Sequence, residues 1–278
     1  MLKKLIKYEW KATKRIFFPL YGAMLLAALV NGVFLRFDDV MKNDLTNGIK
    51  GLMVFAYVAI IIATFVMTAV VMIQRYYKNV LGREGYLMNT LPVTGTELIW
   101  SKAIVATIWF VGSTFVVMIS LPLIFFITSP ETFQEFFGVF FSTELWNRIT
   151  SDISNINFVF WALELLLFAI VSCFAGCMKV YAAMSMGHLV HKSRMIASVG
   201  FFIAFDFAEK MLMLIVSYII AFVCNLGIGK WILEFLSKGN GIVGVHAAFL
   251  GTILCSLIIT IIYFFLSKFI LDKKLNLE

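Results

Sequence analysis

Four ionisable side chains stand inside long apolar runs, where a charge is costly unless something compensates it. Glu164 lies in FVFWALELLLFAIV, and Asp206, Glu209 and Lys210 lie in GFFIAFDFAEKMLMLIV. On a helix, residues four apart share a face, so Asp206 and Lys210 are expected to pair while Glu209 turns away from them. A charge at the centre of a bilayer costs roughly 2.5–3.5 kcal/mol on insertion scales, which favours a working role. That role would be a polar patch on a translocation path or between subunits. A helix that starts well inside the cytosol would instead place the three residues near the inner membrane surface, and both readings stay open. Glu164 has two available roles, as a partner for Lys210 or as a carboxylate facing an aqueous cavity. Asp206, Glu209 and Glu164 would also serve as proton sites in an ion-coupled carrier.

Other chemistry finds little support. His188 and His191 are three apart beside Lys192 and Arg194, but a metal site needs further ligands and none lies near in sequence. They read as solvated loop histidines. Cys173 and Cys177 share a helix face inside an apolar run and read as small packing residues. No G-x-x-x-x-G-K-[ST] occurs, and GIGK at Gly227–Lys230 has the wrong spacing to cradle phosphates. H-E-x-x-H and G-x-S-x-G are absent as well, so the chain reads as no enzyme, with no cofactor of its own.

The elements that carry these residues follow from composition. Of the 278 residues 62% are hydrophobic and 14% charged, and mean hydropathy is +0.95. Soluble domains are about half apolar, so lipid is the natural solvent for this surface. Six segments match the roughly 20 residues that cross a bilayer as a helix, at about 16–35, 51–73, 103–127, 156–179, 195–223 and 246–271. Lipid offers backbone groups no outside partner, so an all-α, polytopic membrane protein of six transmembrane helices is expected.

Sixteen of the 23 Lys and Arg residues fall in the N-terminal arm, the second and fourth loops and the tail. By the positive-inside rule both termini are cytoplasmic. The net charge of +7 then reports topology, with anionic lipid headgroups as counter-charge and no nucleic acid. The first span is preceded by basic residues, but its length and the lack of an A-x-A site mark it as retained rather than as a signal peptide.

Residues 1–15 place Leu2, Leu5, Ile6 and Trp10 at helical spacing among five lysines, the pattern of an amphipathic helix on the inner membrane surface; residues 16–278 form the membrane domain. The third loop clusters Phe133, Phe136, Phe137, Phe140 and Phe141 among Glu131, Gln134, Glu135 and Glu144, as an outer interfacial helix or a substrate-gripping aromatic surface would. The fifth loop, apolar between Gly229 and Gly239, is expected to form a short re-entrant or interfacial helix. Pro122 is placed to bend the third span.

The second loop is unlike the rest. Pro92 keeps Leu91 out of a helix, and Thr94-Gly95-Thr96-Glu97 has capping-box spacing, so the third span should begin several residues outside the membrane, with Lys102 at its entry into lipid. A shaped loop with Tyr86, Leu87 and Leu91 in the cytosol needs a partner groove.

GREGYLMNTLPVTGTELIWSK, above all its EGYL, NTLPV and SK, resembles the segment between the second and third spans in type-2 permease subunits of bacterial ATP-binding-cassette (ABC) exporters. LIKYEWKATKRIFFPLY and KVYAAMSMGHLVHKSR are similar to stretches of the same permeases. The resemblance implies that Gly82, Arg83, Glu84, Gly85, Tyr86, Leu87 and Leu91 contact a separate ATPase subunit, which binds the ATP. It implies a second permease copy or a related permease, in the bacterial cytoplasmic membrane, and export of an amphiphilic peptide (an antimicrobial peptide among them), drug or lipid-like molecule. Beside it stand a non-transporting sensor or immunity protein for a toxic peptide, and an ion-coupled secondary transporter.

Overall fold

The computed structural model describes residues 1–36, 44–82, 93–144, 147, 155–190, 193–225 and 242–273. Among them all regular structure is helical: α1 (Leu2–Arg36), α2 (Asp44–Tyr76) with a π-turn (Tyr77–Leu81), α3 (Gly95–Thr128), α4 (Pro130–Phe140), α5 (Asn155–Gly187), α6 (Arg194–Asn225) and α7 (Ile242–Lys273). Five stretches are long and apolar enough to cross a membrane: Leu2–Arg36, Gly48–Leu81, Gly95–Thr128, Val159–Gly187 and Gly244–Asp272. At most 28% of the most apolar window of any of them is buried inside the fold, so most of this apolar surface faces outward, as lipid contact requires. The segment expected at 195–223 lies within α6, which has 32 residues but stands outside these five. Asp206, Glu209 and Lys210 interrupt its apolar run near the middle.

The chain divides into two compact units. One comprises Lys3–Met72 and Val105–Phe158. Its centre is Trp109, whose ring stacks between Trp10 at 4.5 Å and Phe17 at 4.2 Å. The indole N–H donates to Thr13 Oγ1 at 2.8 Å, so the ring is buried with its donor satisfied. Hydroxyls continue the seam: Tyr21 donates to the Trp109 carbonyl and meets Ser113, each at 2.9 Å, and Ser113 meets Thr68 at 2.9 Å. Tyr57 and Ser120 lie 2.6 Å apart. Gly32 lets α1 approach α3, since a Cβ there would stand 3.0 Å from Ile127 Cβ. Small residues and hydroxyl pairs are what join helices when lipid removes the hydrophobic drive between them. In the same unit α4 rests Phe133 on Phe125 and Phe126 at 5.8 and 5.1 Å, leaving Glu131, Gln134 and Glu135 exposed. The helix expected in the third loop is therefore present.

The other unit comprises Met1–Leu2, Ile73–Ile104 and Val159–Glu278. Tyr76 is fully buried, stacks on Tyr181 at 4.0 Å and meets Ser185 at 3.0 Å. Trp100 lies 5.3 Å from Phe174 and 5.7 Å from Phe264, joining α3 to α5 and α7. At the α5–α6 turn a Cβ on Gly187 would stand 2.5 Å from the Ser198 backbone nitrogen, so only glycine allows this approach.

Residues 1–15 and the expected first span share one helix, since α1 has 35 residues and continues through Pro19. Its buried stripe of Glu9, Thr13, Phe17, Met24, Ala28, Asn31 and Gly32 crosses that boundary, while the five lysines stay outside it. Lys102 is 3% exposed, in first turns of α3 that are packed, with Leu98, Ile99 and Ser101 also buried. Pro122 lies inside α3, which runs on to Thr128. The first loop at 37–43 and the fifth at 226–241 lie outside the described residues.

Candidate functional site

The charges of α6 are gathered with partners from α5 and α7. Lys179 Nζ of α5 donates to Asp206 Oδ1 at 3.1 Å and to Glu209 Oε2 at 2.7 Å. Lys210 Nζ donates to Asp206 Oδ2 at 2.7 Å, the pairing expected from their spacing. Glu209 joins the same cluster through Lys179 and accepts the Tyr263 hydroxyl of α7 on Oε1 at 2.7 Å. Two cations and two carboxylates leave the cluster neutral, which is the condition for carrying charge in lipid. The two lysines differ in setting: the Lys179 side chain is 14% exposed and that of Lys210 is 76% exposed. Lys179 also lies 5.5 Å from the centroid of the Phe202 ring, whose π face attracts a cation.

Glu164 pairs with His246 rather than with Lys210. Its Oε2 lies 2.8 Å from His246 Nδ1 of α7, with both side chains under 20% exposed. Trp161 is set edge-on beside the same imidazole at 6.5 Å. Fifteen residues of α5 separate Glu164 from Lys179, a rise of about 22 Å. The two polar sites therefore occupy opposite ends of the same helix.

At the start of α3 the capping box is formed in both directions. The Glu97 N–H donates to Thr94 Oγ1 and the Thr94 N–H donates to Glu97 Oε2, each at 3.3 Å. Caps of this kind are worth about 0.5–2 kcal/mol. The N-terminal ammonium of Met1 lies 3.6 Å from Glu97 Oε1. From the far end of the chain, Asp272 Oδ1 approaches Gly95 so closely that a Cβ there would stand 3.0 Å away. The start of α1, the start of α3 and the end of α7 thus meet at one place. Gly82 closes the π-turn, and a Cβ on it would stand 3.0 Å from the Lys78 carbonyl. Arg83, Glu84, Gly85, Tyr86, Leu87 and Leu91 lie outside the described residues.

His188 is not solvated. It is 9% exposed, because the end of α5 packs against the π-turn. Its Nε2 stands 3.2 Å from Arg194 Nη1, and it is hydrogen-bonded to the Leu81 backbone. Burial, then the Arg194 charge, pushes its pKa below the usual 6.5. A neutral ring accepting from Arg194 fits this position. His191 lies outside the described residues, and among those described no group of three or more His, Cys, Asp or Glu could hold a metal. Cys173, Cys177 and Cys255 form no disulfide among the described residues.

Lys179, Tyr263 and His246 escaped the sequence reading. One signal was available: α6 carries two carboxylates and one lysine, so a second cation had to come from another helix. The chain matches no protein-family model, no curated protein and no solved structure.

Proposed function

We propose that this chain is the membrane-spanning permease subunit of an ABC exporter, with six spans and both termini in the cytosol. α6 is the fifth of these spans in chain order, admitted to lipid by the neutral pairing of its charges. A separate ATPase subunit supplies the energy through the loop between the π-turn and α3. The observation that supports this reading best is the capped start of α3, where Met1 and Asp272 converge. A loop rooted between a π-turn and a doubly capped helix transmits a push without fraying its own attachment. The excess of Lys and Arg in the same part of the chain assigns that end to the cytosol, and the resemblance of Gly82 to Lys102 to the type-2 permeases supplies the identity of the motor. Two copies, or one copy and a related permease, enclose the pathway. The cargo class is amphiphilic, in keeping with helices rich in apolar and aromatic residues.

A second reading, an ion-coupled secondary transporter, draws on one observation: the Glu164–His246 pair and the Lys179–Asp206–Glu209 cluster are acid–base sites at two depths of one helix. It differs in its energy source. ATP-driven uptake of an amphiphilic dye into inverted membrane vesicles separates the two. Asp206→Ala and Glu164→Ala are expected to impair uptake while leaving membrane insertion intact. Uptake unchanged in both variants would remove these residues from the pathway, and uptake driven by a proton gradient without nucleotide would favour the second reading.

A further inference from the structure

A cavity of about 610 Å³ opens between α2 with its π-turn, α5 and α6. We propose that it binds an anionic phospholipid, with an acyl chain in the cavity and the phosphodiester on Lys78. Its size lies within the roughly 300–1,000 Å³ of ligand pockets, and its lining is apolar with few polar groups, as such sites are. Among the described residues, Tyr77, Met184, Met195, Val199 and Phe202 supply the walls, and Lys78 is the one charged residue lining it. No carboxylate stands among these described lining residues, so none of them repels an anionic head.

The open side decides how a ligand enters. Met195 is 68% exposed, Val199 59% and Phe202 38%, so apolar side chains of α6 line the open side. An acyl chain can slide in sideways from the bilayer, whereas a water-soluble ligand has no polar path to follow. The two methionines adapt to an irregular chain. Phe202 is held under the Lys179 ammonium. At the mouth Lys78 stands on a π-turn, a local structure that recurs at functional sites. Its ammonium donates three N–H groups to a phosphate. Arg194, held by His188, directly precedes the lining Met195 and adds a second positive charge at the start of α6. Basic pockets between membrane helices select anionic headgroups in this way.

The test uses the full chain in phosphatidylcholine nanodiscs doped with a trace of photoactivatable phosphatidylglycerol or, in parallel, photoactivatable phosphatidylcholine, with adducts mapped by mass spectrometry. Adducts are expected on the peptides carrying Met184 and Met195–Phe202, about fivefold more from phosphatidylglycerol, the factor that one basic residue near an anionic head provides. Lys78→Glu should abolish that preference and Lys78→Arg should keep it. Val199→Trp, at an exposed position, should block both lipids without changing the elution of the protein. Equal labelling by the two lipids that ignores Lys78→Glu would overturn the proposal. So would a chain-to-chain disulfide formed by Val199→Cys with lipid adducts absent, which would make a second copy the occupant. Neither readout involves an ATPase, so this inference stands or falls apart from the exporter assignment.

Discussion

Lys179 holds two carboxylates from α6 at once, which makes it the residue on which the charged cluster depends. Replacing it with Met leaves two acids facing one lysine, and that lysine is the more exposed of the pair. Lys179→Met is therefore expected to lower thermal stability in detergent, and combining it with Glu209→Gln should cost less than the sum of the single changes. A coupling of about 0.5–3 kcal/mol is the range for residues in one ionic network, and additive effects would show that the contact contributes nothing. The Asp206–Lys210 contact was legible because a four-residue spacing specifies it on any helix. Lys179 was not, because 27 and 30 residues separate it from its partners and only the packing of α5 on α6 brings them together. His188 misled for a related reason: its polar neighbours in sequence implied water, whereas the π-turn covers it. The displaced titration makes a prediction. Above pH 6.5 the ring is neutral in both folded and unfolded chains; below it the unfolded chain takes up the proton first. Stability should accordingly fall as pH drops from 7.5 toward 5.5, and melting curves of His188→Gln should lack that component. A wild-type curve no steeper than the variant's would contradict it.

Among the elements, the α5–α6 turn has the least room for change. Gly187→Ala would drive a methyl group into the Ser198 backbone, which has no rotamer by which to yield. Overpacking of this kind costs typically about 1–3 kcal/mol, so the variant should melt earlier, with faster hydrogen exchange at the ends of α5 and α6. Unchanged exchange there would show that the turn adjusts freely. The α3 cap was readable before any coordinates, because threonine and glutamate three apart name both halves of a capping box. The join between the N-terminal arm and the first span was not readable in the same way. Lysines and apolar residues change the composition at residue 15, yet no glycine or capping residue stops the helix there, and Pro19 removes only one backbone donor. Composition marked a boundary that the backbone does not have.

For the whole molecule, lipid explains both what was legible and what was not. Length and hydropathy alone placed the helices, since a bilayer core of about 30 Å sets their size. Which helix meets which depends on hydroxyl pairs and ring stacks such as Thr13–Trp109 and Tyr76–Tyr181, and these leave no periodic trace in the sequence. The exporter assignment adds that the chain works through a companion that hydrolyses nucleotide. The most direct test is to purify the full chain from its own membrane in mild detergent, identify what accompanies it by mass spectrometry and assay ATP hydrolysis by the complex. The expected result is a co-purifying ATPase subunit whose activity rises with an amphiphilic cargo, lost with Leu87→Asp although that variant still inserts. An unaltered complex with Leu87→Asp, or transport by the purified chain with no nucleotide-hydrolysing companion, would contradict the account.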